Sequence, residues 1–183
     1  MKCWVALLLV GVAANAAAQY GPLGPSFGRP APNQVGDEEE KPWQELDIEP
    51  PAFPKQENLV EFYVSAVATN KYFIDASTLA VGGDGVVRYV LVVRSSGGAT
   101  NVSFEGIHCA NRSWKHYATG SNDKGTWTQS RAVRIEWRPI ENKPVNRHHA
   151  ALSRDLFCPQ GNVINTADEG RNALRLGKHP NSI

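Results

Sequence analysis

The sequence predicts an α+β domain, an antiparallel β-meander of about six strands with two C-terminal helices packed on one face. Three observations carry that expectation. From Asn58 to Pro139 the chain is written in short β-branched and aromatic runs cut by glycine turns. From Ala151 onward the apolar period lengthens to helical spacing, and a capping pattern marks a second helix. Cys109 and Cys158 then stand where a strand and a helix end, so a bridge between them would fasten helix to sheet.

The first eighteen residues read as a secretion signal. Lys2 supplies a short positive start, an apolar run covers residues 5–12, and Ala16, Ala17 and Ala18 precede Gln19, so cleavage is expected after Ala18. That run is far shorter than the roughly 20 residues that span a bilayer, and no later segment approaches that length. No transmembrane segment is expected in the mature chain. Cys3 lies in the signal and leaves with it. Cys109 and Cys158 remain, in a chain bound for an oxidising periplasm, where a disulfide is the natural reading and two buried thiols the alternative.

Residues 19–56 form an acidic, Pro/Gly-rich stretch that includes Asp37, Glu38, Glu39 and Glu40. Its few apolar residues are unpatterned and bury too little to offset the entropy of ordering, which predicts a largely disordered tether. Trp43, Leu46, Ile48 and Phe53 stand out within it. They either dock as an extended strip on the domain or flank it as a solvated linker. The chain's overall net charge of +1 conceals an acidic tether and a basic domain over residues 57–179.

Within the domain, residues 59–65 form the first candidate strand. Residues 72–75 and 78–81 lead into Gly82-Gly83-Asp84-Gly85, a hairpin signal because glycine and aspartate tolerate positive φ. Residues 86–94 return with Val87, Tyr89, Val90, Leu91, Val92 and Val93. Apolar residues on both faces predict a central strand covered on both sides. Residues 101–109 alternate, with Val102, Phe104 and His108 on one face and Ser103, Glu105 and Ile107 on the other, as in a half-buried strand. Residues 114–118 are the expected hairpin partner. Trp127 and residues 134–137 suggest two more short strands, ended by Pro139.

In the C-terminal third, Ala151, Leu152, Leu156 and Phe157 define a helix stopped by Pro159 and Gly161. Thr166 and Glu169 form a capping box for the second. Ala167, Gly170 and Leu174 line its inner face, and Gly177 supplies the stop.

Chemistry-bearing motifs are scarce. Gly24-Pro25-Ser26-Phe27-Gly28 matches a serine-hydrolase pattern, but that pattern needs a strand–turn–helix context and lies here among prolines. Metal spacings such as H-E-x-x-H are absent. His148 and His149 are neighbours expected to point to different sides, and His108 and His116 are expected diagonally on one hairpin face with no carboxylate assigned. No metal, cofactor or catalytic residue is therefore assigned. Arg154 and Asp155 beside the proposed bridge, with Glu105 on the strand leading to Cys109, suggest either an ion pair orienting the helix on the sheet or a polar pocket in which Arg154 meets a carboxylate or phosphate. Trp127, Trp137 and Arg138 are expected at its rim. The candidate binding residues are thus Glu105, Arg138, His149, Arg154 and Asp155.

The motifs Phe73-Ile74-Asp75, Gly82-Gly83-Asp84-Gly85-Val86-Val87-Arg88-Tyr89, Asn101-Val102-Ser103-Phe104-Glu105-Gly106-Ile107 with Cys109, Trp137-Arg138-Pro139-Ile140, and Phe157-Cys158-Pro159 fall in order along the domain. With them, residues 51–177 resemble the cryptic neisserial protein one-like family of exported β-proteobacterial proteins. The resemblance implies placement in the cell envelope and assigns no activity, cofactor or catalytic residue.

The expected function is that of an exported periplasmic domain, a non-enzymatic binding or interaction module whose partner is an envelope protein, a peptide or a cell-wall fragment. The alternative is a small hydrolase or ligand-processing enzyme using His149, Asp155 and Glu105 in a pocket near the disulfide. Nucleic acid is a poor partner, because the domain's positive excess is modest and spread and export removes it from DNA.

Overall fold

A computed structural model describes residues 42–129, 136–144 and 147–182. The signal-peptide reading, residues 19–41 of the tether and the Gly24–Gly28 motif lie outside the described residues. The strands are β1 (Leu59–Phe62), β2 (Lys71–Asp75), β3 (Ala80–Val81), β4 (Val86–Arg94), β5 (Thr100–His108), β6 (Ser113–Ser121), β7 (Thr126–Gln129) and β8 (Arg138–Pro139). Helices α1 (Arg147–Ala151) and α2 (Ala167–Leu176) follow. Six strands run as an antiparallel meander in the order β1-β2-β4-β5-β6-β7, with β3 paired to β4 and β8 to β6. This is the α+β architecture expected from the sequence.

Several boundaries differ from the pattern reading for local reasons. β1 ends at Phe62 because its partner begins there, Phe62 lying opposite Tyr72, and residues 63–70 form the connection. The segment expected as strand over residues 78–81 keeps only Ala80 and Val81. Its start is a turn in which the Thr78 amide and hydroxyl both donate to the Asp75 carbonyl. Residues 134 and 135 lie outside the described residues, Trp137 is not in a strand, and only Arg138 and Pro139 pair with β6.

The central strands alternate strictly, and that alternation builds two cores. On one face, Ile74, Tyr89, Leu91 and Ile107 meet Leu152, Leu156 and Phe157. These residues are almost wholly removed from water. α1 supplies the covering wall and widens at its end into a π-type turn over Leu152–Phe157, closed by the Cys158 amide donating to the Ser153 carbonyl. The Cys109–Cys158 disulfide joins the end of β5 to the end of this segment. α2 packs Gly170, Ala173 and Leu174 inward. Its Thr166 hydroxyl accepts the Glu169 amide at 3.1 Å, and Gly177 stops it at φ 77°, where a side chain would be strained.

On the other face lie Val90, Val92, Val102, Phe104 and Ala118. Residues 42–55 run across this face as an extended strip, with Ile48 and Phe53 packed against the cluster, and a short 3-10 turn over Gln56–Asn58 leads into β1. β5, expected to be half buried, is covered on both sides as a result. The Phe53 ring approaches so closely at Gly120 that a Cβ there would lie 2.8 Å from it.

Candidate functional site

Glu105 stands at the middle of the helix-covered face, placed there with Ile107 by the alternation of β5, and the β5–β6 ladder is irregular beside it. Phe104 pairs with Ala118 and Glu105 with His116, so Tyr117 is an extra residue in β6. The shift puts His116 on the same face as Glu105. His108, three residues along β5, faces the opposite way and stacks on Trp43 at 4.5 Å. The expectation that His108 and His116 share a face is therefore corrected, and His116 has the carboxylate the sequence did not assign to it.

His148 and His149, expected to point to different sides, do not. Both rings turn toward Glu105, with centroids 4.0 Å apart. α1 is only a little over one turn long at this point, and each ring is held by an aromatic wall. Trp114 stacks on His149 at 3.8 Å and Tyr72 on His148 at 5.2 Å. His149 Nε2 lies 2.8 Å from Glu105 Oε2, and His116 Nδ1 lies 3.8 Å from Oε1. Ser103 and Tyr89 also donate hydroxyl hydrogen bonds to this carboxylate, at 2.7 and 3.3 Å.

Burial by itself would push the Glu105 carboxyl up. The close His116 ring and the hydrogen bond to His149 outweigh it and hold the group well below the usual carboxylate range. The neighbouring Tyr89 hydroxyl is pushed up by burial and by the Glu105 charge, so it stays a donor. Burial, reinforced by the adjacent His149 ring, brings His148 down to about 4 and keeps it neutral at physiological pH.

The remaining predicted residues lie elsewhere. Arg154 pairs with Asp155, its own neighbour, at 2.5 Å. Arg154 is exposed and Asp155 half-buried, and because the two are neighbours in one segment the pair does not itself reach from helix to sheet. Asp155 turns to Arg154 and not to His149, while its carbonyl accepts from the His179 amide at 2.7 Å and holds the C-terminal segment. Arg138 is exposed, with its guanidinium 5.6 Å from the Trp114 ring centre. Trp127 and Trp137 do not rim a pocket at the disulfide. They belong to the strip side, where Trp127 donates to the Pro51 carbonyl and Trp137 to Glu45.

A cleft of about 530 Å³ does open beside the disulfide. Arg112, Asn142, Ser153, Arg154 and Gln160 line it together with the two cysteines. Arg112 and Gln160 are the two non-glycine residues with left-handed backbone among the described residues, at φ 46° and 54°. Each such residue costs roughly 1–2 kcal/mol. Neither Arg112 nor Gln160 announces itself in the sequence, because nothing in their side chains asks for that conformation. His116 and His148 were missed as members of the Glu105 cluster because a one-residue register shift and the roll of a short helix leave no pattern in the sequence.

A family model, the CNP1-like family, matches residues 38–175. The chain belongs to the CNP1-like family. The match reaches upstream into the strip that lies on the sheet. Cryptic neisserial protein 1 of Neisseria gonorrhoeae (strain ATCC 700825 / FA 1090) is 32% identical over 103 residues, covering 50% of this chain and 49% of that protein. The chain therefore spans about half the length of this curated relative. No solved structure matches. Among the described residues of this CNP1-like chain, no helix is long and apolar enough to cross a membrane.

Proposed function

We propose that the protein is exported and works as a non-enzymatic binding module of the cell envelope, taking an anionic group of an envelope protein, peptide or cell-wall fragment into the cleft beside the disulfide. The observation that carries this reading is the convergence of Arg112 and Gln160 on one cleft. Arg112, in the β5–β6 turn, and Gln160, in the turn before Gly161, hold left-handed backbone without being glycine, and such positions are costly and concentrate where a binding surface needs fixed geometry. Arg112 makes no ion pair among the described residues, and its planar guanidinium suits a carboxylate or phosphate. The signal-like first eighteen residues and the Cys109–Cys158 bridge support export.

Photo-crosslinking in intact cells tests the reading. A crosslinker at Gln160 should capture an envelope component that one at Lys124, on the far β6–β7 turn, does not, and Arg112→Ala should reduce the yield. Adducts limited to the protein itself, or identical from both positions, would remove the binding role. Cytosolic full-length chain with both cysteines open to alkylation would remove the export.

A further inference from the structure

We propose that Glu105, His148 and His149 form a binding site for a divalent transition cation of the zinc type. One ligand-capable atom from each of the three side chains lies within 4.8 Å of the other two. Two imidazole nitrogens and one carboxylate oxygen are a donor set that suits a borderline cation, with a fourth position left for water. The site is separate from the disulfide cleft, and it stands whether or not the cleft binds anything.

The second observation is independent of that spacing. Nδ1 of His148 and Nδ1 of His149 are both buried and have no hydrogen-bond partner among the described residues. An unpaired buried polar atom of this kind costs about 1–3 kcal/mol. Here two of them sit on adjacent rings whose orientation is fixed by Trp114 and Tyr72. Rotation toward solvent is blocked for His149, which is 1% exposed. A purely structural Glu105–His149 hydrogen bond uses one nitrogen and leaves the other two unexplained. A cation recruits a nitrogen from each ring and draws the carboxylate into the same shell.

The surroundings resemble those of a supported ligand set. Metal-binding side chains are held by outer hydrogen bonds that fix their orientation. Glu105 has such partners in the Ser103 and Tyr89 hydroxyls, and the His116 ring stands 3.8 Å from it, with its far nitrogen fixed at 2.9 Å from the Thr119 hydroxyl. The half-buried His148 gives the site its one approach from solvent among the three ligands.

The test is Zn2+ titration of the purified full chain after chelator treatment, followed by calorimetry. One Zn2+ per chain should bind, and Glu105→Gln and His148→Ala should each weaken binding by about tenfold or more. Near-UV circular dichroism establishes that the variants are folded. If either fails to fold, the imidazole nitrogen resonances of the unaltered protein decide. His148 and His149 must shift on Zn2+ addition while His108 and His179 stay. Absence of Zn2+ binding, affinity in both variants equal to that of the unaltered protein, or shifts confined to other histidines would overturn the site and leave a buried water as the partner of the orphan nitrogens.

Discussion

The two faces of one sheet are covered by different physics. The helix-covered face is closed by side chains such as Leu152, Leu156 and Phe157, whose burial is non-directional, and it is fastened covalently at Cys109–Cys158. The strip-covered face has a smaller apolar cluster, and the strip makes no strand ladder with the sheet. Its backbone groups are met instead by side chains of the sheet. Asp84 accepts the Leu46 amide at 2.9 Å, Arg88 reaches the Leu46 carbonyl, and Trp127 donates to the Pro51 carbonyl at 2.7 Å. Glu45 returns the arrangement from the strip side, accepting from Lys115, Tyr117 and Trp137. A helix can be held by its apolar face, whereas an extended segment without a partner strand must have its polar groups satisfied one at a time.

The largest expected effect lies on the helix side. Cys158→Ser opens a loop of 49 residues, and chain entropy for a loop of that length is worth about 4 kcal/mol. Thermal unfolding of the oxidised protein and the variant should differ by many degrees. An unchanged Tm would show that the helix face is held by its core alone.

Next comes Asp84, the anchor of the strip. Its side chain and that of Arg88 are almost fully buried and paired at 2.5 Å. Asp84→Asn leaves the Arg88 guanidinium buried without its counter-charge, a loss of about 3 kcal/mol. Burial by itself would raise the Asp84 carboxyl, but the Arg88 hydrogen bonds and the Leu46 amide bring it down from 3.8 to about 2. A carboxylate whose pKa is depressed on folding contributes stability above its ordinary pKa and loses it as pH falls through the folded value. The Asp84 share should therefore disappear between about pH 4 and about pH 2. A Tm profile over that range should be steeper in the unaltered protein than in Asp84→Asn. Parallel profiles would mean that the strip is not tied through this pair.

What was legible in the sequence follows the same division. The double-faced apolar run of β4 showed a central strand, and the Thr166–Glu169 pattern showed α2, because alternation and capping are local rules. Glu105 and His149 were already placed together in a candidate pocket, but His116 joins them only through the extra residue at Tyr117, and no local rule predicts a bulge. Trp43, Leu46, Ile48 and Phe53 stood out from an acidic, proline-rich stretch, but the residues that hold them, Asp84, Lys115 and Trp127, are distant in the chain. Aspartate in Gly82-Gly83-Asp84-Gly85 reads as a turn former, and it is one. Its carboxylate also serves a strip 38 residues upstream, which turn chemistry does not reveal.

The smallest expected effect concerns how the strip opens. Trp43 is 45% exposed and touches the sheet side through His108 and Trp137, so Trp43→Ala should cost only about 1 kcal/mol of global stability, the scale of an aromatic pair. Its effect on local opening should be larger in proportion. A segment held by a few side-chain anchors opens without unfolding the domain, so its amides exchange at a lower free energy than those of the central strands. Hydrogen exchange at the Leu46 amide, which is bonded to Asp84, should be faster than at Leu91 in the same protein and faster still in Trp43→Ala. The Leu91 rate should change only by the global difference. If Leu46 and Leu91 exchanged at one common rate, strip and sheet would unfold as a unit, and the side-chain anchors would couple the two as tightly as a strand ladder does.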